Sequence, residues 1–362
     1  METVTAGHTG QRAALYRMVW RWHFYAGLFV IPFILILSVT GAIYLFKPQI
    51  ERWEERAWKH LPDNASVSPD AQLSAALAAF PGASFHSYRL PQQAGDAALI
   101  HLTLKNSQAG EQSMRDVFVS PQGRVIGSLD PQARIIRIDH DIHGQMLLGR
   151  RGSWLVELAA SWALVMVLTG MYLWWPKGRG MAGVVWPRLN RGTAVAWRDL
   201  HAVTGFWVAG LATLLLITGL PWSDVWGSAF KALRSELGAS AARQDWTIGG
   251  RAPDAGKPAV GEHAEHEHST MMAAARLGGM AGMVHVPLGM IVARAKSEHL
   301  AFPVTVAPPR PGEAGMAWTV KSEAQNRPLR VTITYDAMTG REISRAEFAD
   351  KPVADRVIGY GV

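Results

Sequence analysis

Residues 21–46, RWHFYAGLFVIPFILILSVTGAIYLF, decide the fold class of this chain. From Phe24 to Phe46 no side chain is charged, and about 20 apolar residues in a helix suffice to cross the hydrocarbon core of a bilayer. The run is too long for the apolar region of a secretory signal, so it reads as a retained span and not as a cleaved leader. Two further runs share its character. Ser153 to Trp175 reads SWLVELAASWALVMVLTGMYLWW, and Ala202 to Trp222 reads AVTGFWVAGLATLLLITGLPW. Glu157 is the one acid within the three runs. Trp20, Trp22, Trp174, Trp175 and Trp197 stand at their edges, where amphipathic rings settle at the membrane–water interface. The expected fold is an α-helical membrane bundle with three spans.

Composition agrees. Among 362 residues, 49% are hydrophobic and 18% charged, yet the mean hydropathy is only +0.05, so a large water-exposed part accompanies the spans. The net charge of +7 does not point to nucleic acid, because the basic residues gather beside the apolar runs instead of forming an aromatic-interleaved patch. No cysteine is present. That excludes disulfides, cysteine-ligated iron–sulfur clusters and covalent c-type haem, and leaves histidine as the natural ligand for a redox centre.

Basic flanks set the expected orientation. Lys177, Arg179, Arg188, Arg191 and Arg198 face Asp199 alone between the second and third runs, and Arg12, Arg17 and Arg21 precede the first. Both segments read as cytoplasmic, with Arg150 and Arg151 as a smaller opposing pair. The organisation that follows is a cytoplasmic N-terminus (1–22), a first span (23–46) and an outer module (47–139). A histidine-bearing helix then leads into the second span (140–175). A basic loop (176–200), a third span (201–222) and an outer region (223–362) complete the chain. Within that last region, 250–268 (GRAPDAGKPAVGEHAEHEH) reads as a linker by composition.

The outer segments repeat one grammar. SPDAQLSAALAAF predicts a helix capped by Ser68, followed by strands ALIHLTL and MRDVFV and a hairpin through SPQG to RVIGSL. The second segment offers PLGMIVARAKSEH, then MAWTV, then LRVTITY joined through DAMTG to REISRAEF. Two small α+β modules of one kind are expected.

The membrane part carries a repeat of its own. His23 is followed by Gly27 at +4 and Thr40-Gly41 at +17 and +18, and His201 by Gly205, Thr218 and Gly219 at the same offsets. Trp-Arg precedes each histidine. Glycine one turn after a histidine clears nearly the same helical face, so a flat macrocycle can approach the backbone. A neutral imidazole is a good axial ligand for haem iron. The ordinary reading is an interfacial histidine and a small-residue packing stripe. Two histidines in register, in a setting where ionisable groups are rare, favour b-type haem ligation by His23 and His201.

His140 and His143 in IDHDIHG lie three residues apart, on one side of a helix before the second span. Either is a second haem ligand, an external metal ligand or a solvated side chain. Gly178, Gly180 and Gly183 form a literal G-x-G-x-x-G, but it follows a membrane helix and not a strand, so a dinucleotide site is not expected. His263, His266 and His268 in the linker read as solvated, with divalent metal binding as the alternative, and His285 has no partner at ligand spacing. Nothing in the sequence supports a hydrolase.

These motifs together resemble the PepSY-associated transmembrane family, which includes iron-regulated inner-membrane siderophore reductases. The resemblance rests on residues 21–46, on IHGQMLLGRRGSWLVEL with LTGMYLWWP, on WRDLHAVTGFW with ITG, and on the VSPQGRVIG and YDAMTGREI hairpins. It implies a four-helix bundle with bis-histidine haem, periplasmic PepSY-like modules and reduction of a periplasmic ferric siderophore. A quinol or a cytoplasmic protein would donate the electrons. By the same resemblance, His23 and His201 match the family's cytoplasmic-side ligand pair and His143 the histidine opening the second helix. The family's fourth histidine opens a final helix beyond Tyr-Gly, whereas this chain stops at RVIGYGV. The expectation is therefore one haem at His23 and His201, and a second at His143 in doubt. The alternative is a haem-free, membrane-anchored PepSY binding or regulatory protein of the cell envelope.

Overall fold

The computed structural model describes residues 3–105, 112–175, 182–236, 286–309, 317–351 and 353–360. It divides into two compact units: Met1–Leu45, Asp139–Arg251 and Val357–Val362 form one, and Phe46–Ile138 with Ala252–Arg356 the other. The linker at 250–268 and His285 lie outside the described residues.

The helical unit is built on α1 (Thr3–Leu45), α5 (Arg150–Trp174) and α6 (Thr193–Gly219), each long and apolar enough to cross a membrane. Of the shorter helices, α2 (Lys47–Glu54) and α3 (Pro69–Ala79) belong to the other unit, and α4 (Ile135–Gln145) runs from that unit into this one. α5 packs against both α1 and α6. Outward-facing side chains such as Leu28, Leu168 and Leu211 are 63%, 70% and 60% exposed. Apolar surface on that scale needs lipid to cover it. Two boundaries differ from the sequence reading. α1 begins at Thr3, well before residue 23, and α6 begins at Thr193, inside the expected loop. In both cases a helix-compatible polar stretch extends the apolar one, and backbone hydrogen bonding does not stop where hydrophobicity does.

The turn from α4 into α5 is tight. Met146, Leu147 and Gly149 all have positive φ, and a Cβ at Gly152 would collide with the Gln145 carbonyl oxygen. Glycine is required at residue 152 because backbone meets backbone there. At the other end of α5, the Trp174 indole N–H donates to the Val184 carbonyl at 2.9 Å and its ring stacks on Phe206 at 4.2 Å. Asp199, fully buried, accepts from the Arg188 guanidinium at 2.6 and 3.0 Å and from Arg198 at 2.6 Å, which ties the preceding loop to α6. A short 3₁₀ turn (Leu220–Trp222) leads to α7 (Asp224–Glu236). Both Glu157 carboxylate oxygens, on α5, accept from the Val225 N–H at 3.0 and 3.1 Å. A carboxylate at a helix N-terminus satisfies an otherwise orphaned donor and complements the helix dipole. The one acid of the apolar runs is thus a buried cap, 5% exposed.

The second unit is a single antiparallel sheet with strand order β4-β3-β2-β1-β5-β6-β7-β8. Its first half comprises α3 and the meander β1 (Ser84–Arg89), β2 (Ala98–Lys105), β3 (Gln112–Val119) and β4 (Val125–Leu129). The second comprises α8 (Leu288–Ser297), β5 (Val304–Ala307), β6 (Ala317–Ser322), β7 (Val331–Asp336) and β8 (Glu342–Glu347). The two α+β modules are present, and they join along their first strands. Tyr88 pairs with Val306 and Arg89 with Thr305. Joining removes one exposed edge from each module.

Each module uses the same lock. The Val67 N–H, before α3, donates to the Pro121 carbonyl in the β3–β4 turn at 2.9 Å. The Val286 N–H, before α8, donates to Ala337 in the β7–β8 turn at 2.8 Å. Gly123 and Gly340 in those turns have φ of +80° and +66° and lie against Val67 and Val286 respectively. Ser68 caps α3 by accepting from Ala71 N–H at 3.2 Å.

Candidate functional site

His23 on α1 and His201 on α6 come together. Their ring centres lie 6.2 Å apart with planes inclined by 70°. Two imidazoles sharing one metal ion at about 2 Å from each nitrogen have ring centres roughly 6 Å apart, so the spacing of the pair is compatible with one shared ion. His201 is exposed and makes no hydrogen bond among the described residues, so no protein group there occupies its ring nitrogens.

α5 supplies the setting for His23. Its Nδ1 donates to the Met166 carbonyl at 3.1 Å and lies 3.2 Å from the Thr169 hydroxyl. A carbonyl can only accept, so Nδ1 carries the proton and Nε2 keeps its lone pair. Gly170 stands beside the ring: a Cβ there would lie 3.0 Å from His23 Cε1. The glycines singled out one turn after each histidine divide. Gly205 meets nothing within 4 Å and leaves open space beside His201. A Cβ built on Gly27 would lie 3.8 Å from Met166 Sδ, an ordinary contact, so this position of α1 is turned toward α5.

The second histidine level lies 17 residues further along α1, about 25 Å at the helical rise. There His143, on α4, places Nδ1 2.8 Å from the Thr40 hydroxyl and Cε1 3.7 Å from a Cβ built on Gly41. His140, half-exposed, has Nδ1 3.7 Å from the Asp141 carboxylate; His143 is the member of the pair that reaches Thr40. Asp139, one turn before His143, is 6% exposed. Burial pushes its carboxyl above the ordinary range, with His140 offsetting part of that rise. Among the described residues, no group of three or more His, Cys, Asp or Glu side chains forms a metal site of its own.

Thr-Gly occurs in each span, at Thr40-Gly41, Thr169-Gly170 and Thr218-Gly219, with a further pair at Thr204-Gly205 in the third. The sequence reading aligned the first and third by their distance from a histidine. It missed the second because α5 runs antiparallel to α1, so no fixed offset repeats. That second pair is the one that receives His23.

The sheet unit holds a separate charged cluster that no local motif announced. The Arg134 guanidinium binds Glu55 at 2.7 Å, Glu54 at 3.2 Å and Asp116 at 3.3 Å, and Arg89 binds Glu55 at 2.6 Å. His101 Nδ1 lies 2.7 Å from Asp116. Burial pushes the Glu55 and Asp116 carboxyls up, but their partners outweigh it. Arg89 and Arg134 hold Glu55, and His101, Arg134 and Arg89 hold Asp116, below the ordinary carboxylate range. A cleft of about 470 Å³ opens where the two modules meet, lined by Gln72, Tyr88, Asp96, Lys296 and His299 among others.

A comparison with curated proteins gives no match. The family model described as the PepSY-associated TM region matches residues 20–362, which takes in the three spans, both histidine levels and both modules. This chain therefore belongs to the PepSY-associated transmembrane family.

Proposed function

We propose that this membrane protein is a b-type haem electron carrier that passes electrons across the bilayer to a ferric siderophore on the far side. The observation that carries the reading is the His23–His201 pair, drawn from two spans and standing 6.2 Å apart. Iron held by two imidazoles with no open position supplies reversible one-electron transfer. The protein's own part is positional. His23 and His201 would hold the iron, with His23 oriented by Met166 and Thr169. The open side of α6 at Gly205 leaves room for a flat ring. His143 would hold a second centre at the level of Thr40, with its other ligand from outside the described residues. The same reading puts the His23 level on the cytoplasmic side of a bacterial inner membrane, from the basic flanks, and the two modules in the periplasm.

The test is spectroscopic. Protein purified from haem-replete cells is expected to be red, with a Soret band that moves on dithionite reduction and diminishes in His23→Ala and in His201→Ala. Oxidation of the reduced protein by a ferric siderophore in reconstituted vesicles checks the substrate. A colourless preparation would sink the haem reading and leave a membrane-anchored binding or regulatory protein.

A further inference from the structure

We propose that Thr40 and Thr169 are positioning residues that hold His143 and His23 as the Nδ1–H tautomer, so that Nε2 is the nitrogen each presents to a ligand atom. The extension to iron rests on the haem reading above; the tautomer assignment does not.

The argument begins with one proton. A threonine hydroxyl has a single hydrogen to donate. Thr40 donates it back along its own helix to the Ile36 carbonyl at 2.9 Å, with Leu37 at 3.2 Å. Thr169 does the same to Val165 at 2.7 Å, with Met166 at 3.1 Å. Back-bonding of this kind keeps the hydroxyl hydrogen engaged within its own helix turn. With that hydrogen so placed, the hydroxyl oxygen is left to accept, and the imidazole Nδ1 beside it is the donor. For His23 the Met166 carbonyl demands the same proton independently.

Back-bonded threonine and glycine are each common in membrane helices. What distinguishes these two places is their combination. In both, the residue after the threonine is glycine, and the same imidazole turns Cε1 toward that position, 3.7 Å from a Cβ built on Gly41 and 3.0 Å from one built on Gly170. At Gly170 the absent side chain admits the ring edge, and at both places the threonine reads Nδ1. Two helices running in opposite directions, receiving histidines from different helices, arrive at one seat. A second hydrogen bond that fixes the tautomer of a metal-binding histidine also raises its basicity as a ligand.

The experiment uses full-length protein labelled with ¹⁵N-histidine, purified without added haem, and nitrogen NMR to distinguish protonated from unprotonated ring nitrogens. His23→Gln and His143→Gln identify the signals. In the wild-type chain both histidines are expected as Nδ1–H. Thr40→Val keeps the shape but removes the acceptor, and His143 is expected to shift toward the Nε2–H form, with Thr40→Ser restoring it. Thr169→Val is expected to leave His23 as Nδ1–H, because the Met166 carbonyl remains. In haem-loaded protein the same variant should raise the reduction potential of the His23–His201 centre. An Nε2–H signal for either histidine in the wild type, or no change in Thr40→Val, overturns the proposal. Nδ1–H signals in a protein that never takes up haem would support the seats while overturning the haem reading.

Discussion

The imidazole of His23 is fixed by a helix other than its own: its Nδ1 donates to the Met166 carbonyl on α5 at 3.1 Å, while its ring faces His201 on α6 at 6.2 Å. α5 is thus the element on which the histidine pair is assembled, although it contributes no histidine to it. If the pair holds one iron, as proposed, the losses should not add. His23→Ala and His201→Ala are each expected to remove the haem absorbance at that site, and the double variant to lose no more. His140→Ala is expected to leave the spectrum unchanged. Haem quantified per chain in the four proteins checks this, and full absorbance in either single alanine variant would reject the shared site.

The three glycines near the histidines should separate by what they face. Gly27→Leu drives a side chain into Met166, and overpacking of this kind costs about 1–3 kcal/mol. Gly205→Leu enters open space, so the fold should tolerate it. If the space beside His201 receives a macrocycle, that variant loses haem while its thermal unfolding in detergent stays near wild type. Gly170→Leu meets the His23 ring itself and is expected to lower haem content most strongly.

Arg134 is the hub of the sheet unit's charge cluster. Replacing it with methionine leaves Glu55, 5% exposed, and Asp116, 2% exposed, short of a partner. Breaking a buried ion pair from one side costs about 3–5 kcal/mol. Proteolysis of the sheet unit should report a loss of that size, and a variant as resistant as wild type would show the cluster to be dispensable.

The same cluster predicts acid sensitivity. Glu55 and Asp116 have carboxyls held below their ordinary range in the folded chain, so the unfolded chain binds more protons as pH falls. Their contribution is fully present above the ordinary carboxylate range and is lost as pH falls through that range to the depressed folded values. Melting temperature followed from neutral pH downward should drop across this window, and the drop should be smaller in an Asp116→Asn, Glu55→Gln double variant. A pH profile unchanged by the double substitution would reject the assignment.

Gly123 and Gly82 share a left-handed backbone, with φ of +80° and +82°. A Cβ at residue 82 meets nothing within 4 Å, whereas one at residue 123 would lie 2.9 Å from Val67 Cγ2. Alanine at either position carries the conformational penalty of about 1–2 kcal/mol. Gly123→Ala should cost more, because it also disturbs the lock between the β3–β4 turn and α3. Denaturation of the two variants side by side checks the order.

Much of the architecture was legible in the chain. Apolar runs of membrane length, basic flanks, the Ser68 cap, α3 and α8, and the hairpins through Pro121-Gln122-Gly123 and Asp336–Gly340 all follow from local chemistry. β1 and β5 did not. SFHSYR and VTVA are short and carry weak alternation, and they become strands by pairing with each other and with their own modules. Likewise the Arg134 cluster draws on Glu54, Glu55 and Asp116, which no spacing rule connects.

The sequence by itself determined that the chain lies in a membrane, that it carries two like α+β modules, and that His23 and His201 repeat in register. Hydrophobic length, turn chemistry and fixed offsets are local properties. Only the tertiary structure decided that the modules merge into one sheet, that the position of Gly27 turns toward Met166, and that the threonines of two antiparallel helices each receive a histidine. Those depend on which faces meet when helices run in opposite directions, and no one-dimensional spacing carries that information.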